Sequence, residues 1–166
     1  MHNELLSVVD ENDRIIDSRP RSEIHAQGLR HRAVHILVFN DDEWLFLQKR
    51  SMLKDLNKGL WDTSAAGHVD LGEDYTPCAL REAEEELGVD VRETLTPLFK
   101  LAASPQLGME FVQVYRCRHN GPFQLAPTEI DEGRWFSASE IDRRVMANDK
   151  TLTDTFKIIW RRFQQT

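Results

Sequence analysis

The segment Gly67-His-Val-Asp-Leu-Gly-Glu73-Asp-Tyr-Thr-Pro-Cys-Ala-Leu-Arg81-Glu82-Ala-Glu84-Glu85-Glu86-Leu87-Gly88-Val89 decides how this chain reads. Seven of its residues are acidic and one, Arg81, is basic, so residues 67–89 carry −6 of the chain's net charge of −7. Thr76 to Leu87 reads as a helix. Thr76 suits its cap, Pro77 its first position, and Gly88 stands where a left-handed C-terminal cap falls. Leu80, Ala83 and Leu87, spaced three and four, share one face. Glu82, Glu85 and Glu86 at i, i+3 and i+4 are neighbours on a face expected to lie opposite that stripe. Like charges on adjacent turns repel by roughly a few tenths of a kcal/mol per pair, and the helix's carboxyl end disfavours anions. A purely structural helix gains nothing from this. A group that coordinates Mg²⁺ or Mn²⁺ does, because hard cations take several carboxylate oxygens.

The rest of the chain is nearly neutral and reads as one unit. Its 166 residues, with 40% hydrophobic side chains, suit one domain with a buried core. No apolar run reaches the length of a membrane helix, and the first ten residues lack the basic start and apolar middle of a signal peptide. Cys78 and Cys117 suggest no disulfide scaffold, so a cytoplasmic setting is expected. The acidic balance argues against binding a nucleic-acid polymer, which takes a basic surface. Leu5–Val9 and Arg14–Ile16 read as strands around a polar turn, with a short helix opening near Pro20, so residues 1–30 form an N-terminal extension. Val34–Phe39, Trp44–Gln48, Trp61–Ala66, Leu98–Ala103, Phe111–Cys117 and Arg134–Phe136 read as strands. Ser137–Met146 and Thr151–Phe163 read as helices. The expected fold class is α+β, a mixed sheet sandwiched between helices.

Gly67, Glu73, Arg81, Glu82, Glu85, Glu86 and Gly88, with apolar Ala83 and Val89, resemble the Nudix box, Gly-x5-Glu-x7-Arg-Glu-U-x-Glu-Glu-x-Gly-U, at every fixed position. The resemblance implies a Nudix fold and metal-dependent cleavage of a diphosphate linkage in a small molecule. It implies that Glu82, Glu85 and Glu86 bind Mg²⁺ or Mn²⁺, with the Ala66 carbonyl as a further ligand. Arg81 and Glu73 would support those carboxylates, with Glu85 and Glu86 central to catalysis. Glu129, six residues before Trp135, resembles an acid that many family members use as a metal ligand or general base. Glu84, at a free position, reads as a solvated residue.

A wider resemblance covers most of the chain. His31-Arg-Ala-Val-His-Ile-Leu-Val-Phe-Asn, Leu47-Gln-Lys-Arg-Ser and Lys58-Gly-Leu-Trp-Asp-Thr-Ser-Ala-Ala-Gly-His68 look like isopentenyl-diphosphate isomerase, which shares the Nudix fold. That enzyme's Trp-x-x-Ser-x-Cys-Gly-His is matched at Trp61, Ser64, Gly67 and His68, but its acid/base Cys is Ala66, whose methyl group transfers no proton. His25, His31, His68 and Glu110 echo its metal ligands, and the partner of Glu110 falls on Gly108. An intact box without the Cys points to hydrolysis. Lys49, Arg50 and Lys54 follow a strand that borders the cleft in the family and could contact a phosphate. The expected protein is therefore a diphosphate hydrolase, monomeric or homodimeric. Isomerisation and non-catalytic diphosphate binding are the alternatives.

Overall fold

The middle strand of the sheet, β3 (His31–Phe39), sets the layers through its alternation. Val34, Ile36 and Val38 enter one apolar cluster with Cys78, Ala79, Ala83 and Leu87 of α2 (Tyr75–Leu87). Leu37 and Phe39 enter a second, with Ile141 and Val145 of α3 (Ala138–Met146) and Phe156, Ile159 and Trp160 of α4 (Asp154–Gln164). The sheet thus lies between α2 on one face and α3 with α4 on the other, the expected α+β sandwich. The structure is a computed structural model and describes residues 4–166; the first three residues of the expected extension lie outside that range.

The sheet runs β5 (Trp61–Asp62), β4 (Leu45–Arg50), β3, β8 (Glu110–Arg118), β7 (Thr96–Leu101), with β6 (Ala65–His68) also paired to β3 and β9 (Ile130–Phe136) to β4. β3 and β8 are parallel and the other pairs antiparallel. Ahead of the sheet, β1 (Leu5–Val9) and β2 (Ile15–Pro20) form a hairpin followed by α1 (Arg21–Gln27). Asp13, in the hairpin turn, ties this extension down. Its carboxylate accepts hydrogen bonds from Arg32 Nε at 2.7 Å, Lys100 Nζ at 2.7 Å and the Tyr75 hydroxyl at 2.8 Å.

Several expected boundaries move. The strand expected over Trp61–Ala66 is two strands, because the chain passes there from β4 to β3. At the crossing, side chains replace ladder bonds: Ser64 Oγ accepts from Val38 N, and Asp62 Oδ1 accepts from Thr63 N, both at 2.8 Å. α2 begins at Tyr75 after Asp74, one residue before the expected cap, and the Thr76 hydroxyl instead pairs with the Tyr115 hydroxyl at 2.8 Å. Gly88 does take the left-handed cap, at φ 70°, and its N–H donates to Glu84 O. α4 starts at Asp154 because Thr153 caps it, its hydroxyl accepting from Phe156 N at 3.1 Å. β9 reaches back to Ile130, which brings Glu129 to the strand's entrance. Among the described residues, no helix is long and apolar enough to cross a membrane.

Candidate functional site

The three box carboxylates do not share a solvated face. Glu85 is exposed, but Glu82 and Glu86 are only 8% and 6% exposed. The buried stripe is wider than the apolar spacing alone: Cys78, Glu82 and Glu86 recur every four residues along one edge of it, beside Ala79 and Ala83. The space they fill is left by small residues of β6. A Cβ on Gly67 would stand 2.1 Å from Glu82 Cδ. Glu86 Oε1 accepts from the Ala66 backbone N–H at 3.1 Å and from Gln48 Nε2 at 2.9 Å. Both donors are neutral, so Glu86 is a buried carboxylate whose hydrogen-bond partners bring no counter-charge.

Electrostatics follow from that geometry. Burial, then the neighbouring Glu82, pushes Glu86 well above the ordinary carboxylate range. Burial also raises Glu82, with Arg81 opposing it and Glu85 adding to it. Glu129 N donates to the Ala126 carbonyl at 3.0 Å and Ala126 N to the Glu86 carbonyl at 3.1 Å, so the segment carrying Glu129 lies against the end of α2 that carries Glu86. Arg81 is the organising cation. Its Nη1 donates to Glu82 at 2.7 Å and Glu85 at 3.1 Å, its Nε and Nη2 to Glu73 at 2.8 and 2.9 Å, and Nη2 also to the His68 carbonyl at 3.1 Å. Glu73 in turn accepts from Asp70 N at 3.1 Å, bracing the turn before the helix.

The three basic residues expected after β4 have different surroundings, and Lys49 and Arg50 are the last residues of that strand, with only Lys54 in the loop beyond it. Arg50 donates to the Leu56 carbonyl at 3.2 and 3.0 Å and lies 3.7 Å from Asp62, so it braces the loop 51–59. Lys54 forms an ion pair with Glu129. Lys49, in register with Trp61 and Glu132, has no side-chain partner among the described residues.

A second group of ligand-type side chains lies on the other face of β6. Gly67 pairs with Val34 and faces α2, so His68 and Ala66, paired with Ala33 and His35, face away. His25 of α1, His31, His68 and Glu110 present ligand atoms all within 4.8 Å of one another. The three imidazole centroids are 5.1 to 5.4 Å apart. His31 Nδ1 donates to the Leu29 carbonyl at 2.9 Å, which leaves Nε2 facing Glu110 at 3.4 Å. That Nε2 is buried and has no hydrogen-bond partner. A lone pair facing a carboxylate is satisfied by a proton or a cation between them. Glu110 is held well below the usual range: burial works against its charge, but the imidazoles of His68, at 3.0 Å, and His31 beside it outweigh that cost. Burial opposes charge on His68, but Glu110, at 3.0 Å, and Glu4 raise it to about 9.

Sequence reasoning missed Gln48 and His35. His35 is buried, with Nδ1 2.7 Å from Thr63 Oγ1, beside the Ala66 methyl in register. The available signal was a polar residue at an inward position of an otherwise apolar strand, in Leu45–Gln48 and in Val34–Phe39.

A Gly-led, Glu-rich helix laid across a mixed sheet, with helices on the far face, defines the Nudix class. The Nudix domain model matches residues 29–156, and the chain belongs to the Nudix family, whose members generally act on diphosphate bonds. An uncharacterized Nudix hydrolase of Yersinia pestis is 34% identical over 156 residues, covering 94% of this chain and 84% of that protein. An isopentenyl-diphosphate Delta-isomerase of Serratia proteamaculans is 31% identical over 159 residues, covering 94% and 89%. The crystal structure of DR0079 from Deinococcus radiodurans superposes with a TM-score of 0.83 at 28% identity, covering 96% of this chain and 98% of that one.

Proposed function

We propose that the protein is a metal-dependent hydrolase cleaving a diphosphate linkage in a small organic diphosphate, of the nucleoside diphosphate-X type or a related one. The observation that carries this reading is Glu86, a buried carboxylate bonded to neutral donors beside a second buried carboxylate. That donor set fits a hard divalent cation, Mg²⁺ or Mn²⁺. Glu82, Glu85, Glu86 and the Ala66 carbonyl would hold it, and the ion would supply charge neutralisation for diphosphate oxygens and an acidified water. Glu129 takes the proton as water attacks phosphorus. Arg81 and Glu73 keep the carboxylates aimed, Gly67 leaves room for Glu82, and His68 lends its carbonyl to Arg81. Lys49, Arg50 and Lys54 are the cations available to the substrate's phosphates. Residues 1–166 act as one domain, monomeric or dimeric, with 1–30 as an extension tied down through Asp13. The test is phosphate or pyrophosphate release across a panel of diphosphates. Release should require Mg²⁺ or Mn²⁺ and drop by about a hundredfold or more in Glu85→Gln and Glu86→Gln. Full activity in both variants would sink the reading, and tight binding without turnover across the panel would favour a binding module.

One observation favours a second reading. The orphaned His31 Nε2 within the His25, His31, His68, Glu110 group fits a further cation of the kind that imidazoles hold. Relatives named as isopentenyl-diphosphate isomerases keep isomerisation in view, although Ala66 offers no proton. Deuterium exchange into isopentenyl diphosphate in heavy water tests it, and no exchange at high protein concentration removes it.

A further inference from the structure

The loop 51–59 spans the gap between the two groups of ligand-type side chains. It is anchored at its base, with Ser51 N donating to the Glu129 carbonyl at 3.0 Å, Met52 N to Asp131 Oδ2 at 3.1 Å and Gly59 N to the Arg50 carbonyl at 2.8 Å. Its middle is held by Arg50, which donates twice to the Leu56 carbonyl, and by two consecutive charges of opposite sign. Lys54 pairs with Glu129. Asp55 lies 3.5 Å from Arg21 Nη2, at the start of α1 and one turn before His25. Its apolar residues Met52, Leu53 and Leu56 are exposed, so little buried surface holds the loop closed. The Glu129 carboxylate therefore has two claimants. Lys54 sits on it, and its own segment lies against the end of α2 that carries Glu86, since Glu129 N donates to the Ala126 carbonyl at 3.0 Å and Ala126 N to the Glu86 carbonyl at 3.1 Å.

We propose that the Lys54–Glu129 ion pair is a latch in competition with cation loading of the box. This rests on the reading of the box as a cation site. Without a cation, Lys54 supplies the counter-charge of Glu129 and keeps loop 51–59 down. When Glu82, Glu85 and Glu86 take up a divalent cation beside Glu129, Lys54 is no longer needed there as its counter-charge, and its ammonium and the loop become free to meet the substrate's phosphates. Charge balance drives the exchange, since the three carboxylates need more than one positive charge. Both side chains of the pair are partly exposed, so the contact is weak enough to open reversibly.

The test is calorimetric titration with Mg²⁺, which prefers oxygen ligands and so leaves the imidazole group aside. Wild type, Lys54→Met, Glu129→Gln and the double variant are compared, followed by inorganic pyrophosphate binding at saturating Mg²⁺. Lys54→Met should bind Mg²⁺ about two- to fivefold more tightly, the range expected when a partly exposed ion pair no longer competes. The gain should vanish in the Glu129→Gln background and shrink with added NaCl. Pyrophosphate should bind Lys54→Met more weakly than wild type, opposite in sign to the Mg²⁺ effect. Equal or weaker Mg²⁺ binding by Lys54→Met, a gain that survives Glu129→Gln, or unchanged pyrophosphate affinity would each overturn the latch. Mg²⁺ binding by wild type that Glu86→Gln leaves intact would instead overturn the box reading, and the latch with it.

Discussion

Gly67→Ala should separate stability from function at this site. A Cβ at position 67 would lie 2.1, 2.2 and 2.6 Å from Cδ, Oε1 and Oε2 of Glu82, where ordinary contact begins at 3.4 Å. The carboxylate must therefore retreat by about 1.3 Å, from 2.1 to 3.4 Å. It is the far end of a flexible side chain, so it can move, but it then leaves its 2.7 Å bond to Arg81. Overpacking costs about 1–3 kcal/mol. Loss of glycine's freedom in the unfolded chain returns about 0.4–1 kcal/mol. The net destabilisation should be about 1–2 kcal/mol by urea unfolding, which leaves the protein folded. A carboxylate displaced by about 1 Å should lower kcat/KM by about a hundredfold. The control is the pair with Glu82→Ala, which removes the clashing atoms: in that background, Gly67→Ala should cost almost nothing in stability. Activity of Gly67→Ala within threefold of wild type would refute the argument. So would a stability cost that persists without the Glu82 carboxylate, since the strain would then lie elsewhere.

Three further outcomes are expected. Glu82 and Glu86 have folded-state pKa values above the ordinary 4.5, so the folded state holds protons the unfolded state releases. Stability in EDTA should therefore fall as pH rises from about 4.5 through those raised values; urea unfolding of Glu86→Gln should show a flatter slope and greater stability at pH 8, and parallel slopes would contradict the shift. His31→Gln should weaken Mn²⁺ or Zn²⁺ binding in competition with a chelator by at least about tenfold while leaving Mg²⁺ titration of the box unchanged; equal affinity would show that the orphaned Nε2 meets a proton, not a metal. Thr153→Ala removes the cap of α4 and should cost about 1 kcal/mol by denaturant unfolding with little change in KM; a large KM change would give Thr153 a role in the substrate site.

The layer architecture was legible because the apolar runs are long and regular. Val34–Phe39 and Leu45–Leu47 are buried on both faces and could hardly be anything but interior strands. The helix over residues 75–87 announced its end through Gly88, which needs the left-handed conformation it takes. Its beginning was less legible, since Thr76 is as good a cap as Asp74 until Tyr115 claims its hydroxyl. The break between β5 and β6 depended on Ser64 reaching across to Val38, a contact 26 residues apart in the chain, to which no local pattern points. The identity of the box residues was plain in their spacing. Their burial was not, because helical periodicity assigns faces by polarity and would turn every Glu outward. Only the glycine at 67, on a neighbouring strand, makes an inward Glu82 possible.

That inward turn changes what the local charge of −6 means. On a solvated face, seven acids and one arginine would be screened by salt and would bind cations diffusely. Here two of the acids are withdrawn from water, one is neutralised by Arg81 and the other, Glu86, meets only neutral donors. The fold holds these carboxylates in a state that burial makes unfavourable, and β6 divides them from an imidazole group with an unsatisfied nitrogen of its own. The two groups lie on opposite faces of one four-residue strand. Arg81 bonds to the His68 carbonyl on one side and to Glu82 on the other. A shift of β6 on loading either group would thus be felt by the other. The expected sign is cooperative: filling the imidazole group neutralises Glu110 and steadies His68, so Arg81 and Glu82 are better fixed for Mg²⁺. Mg²⁺ titrations with and without one equivalent of Zn²⁺ should show tighter Mg²⁺ binding in its presence. Equal affinities would mean that β6 separates the two groups without linking them.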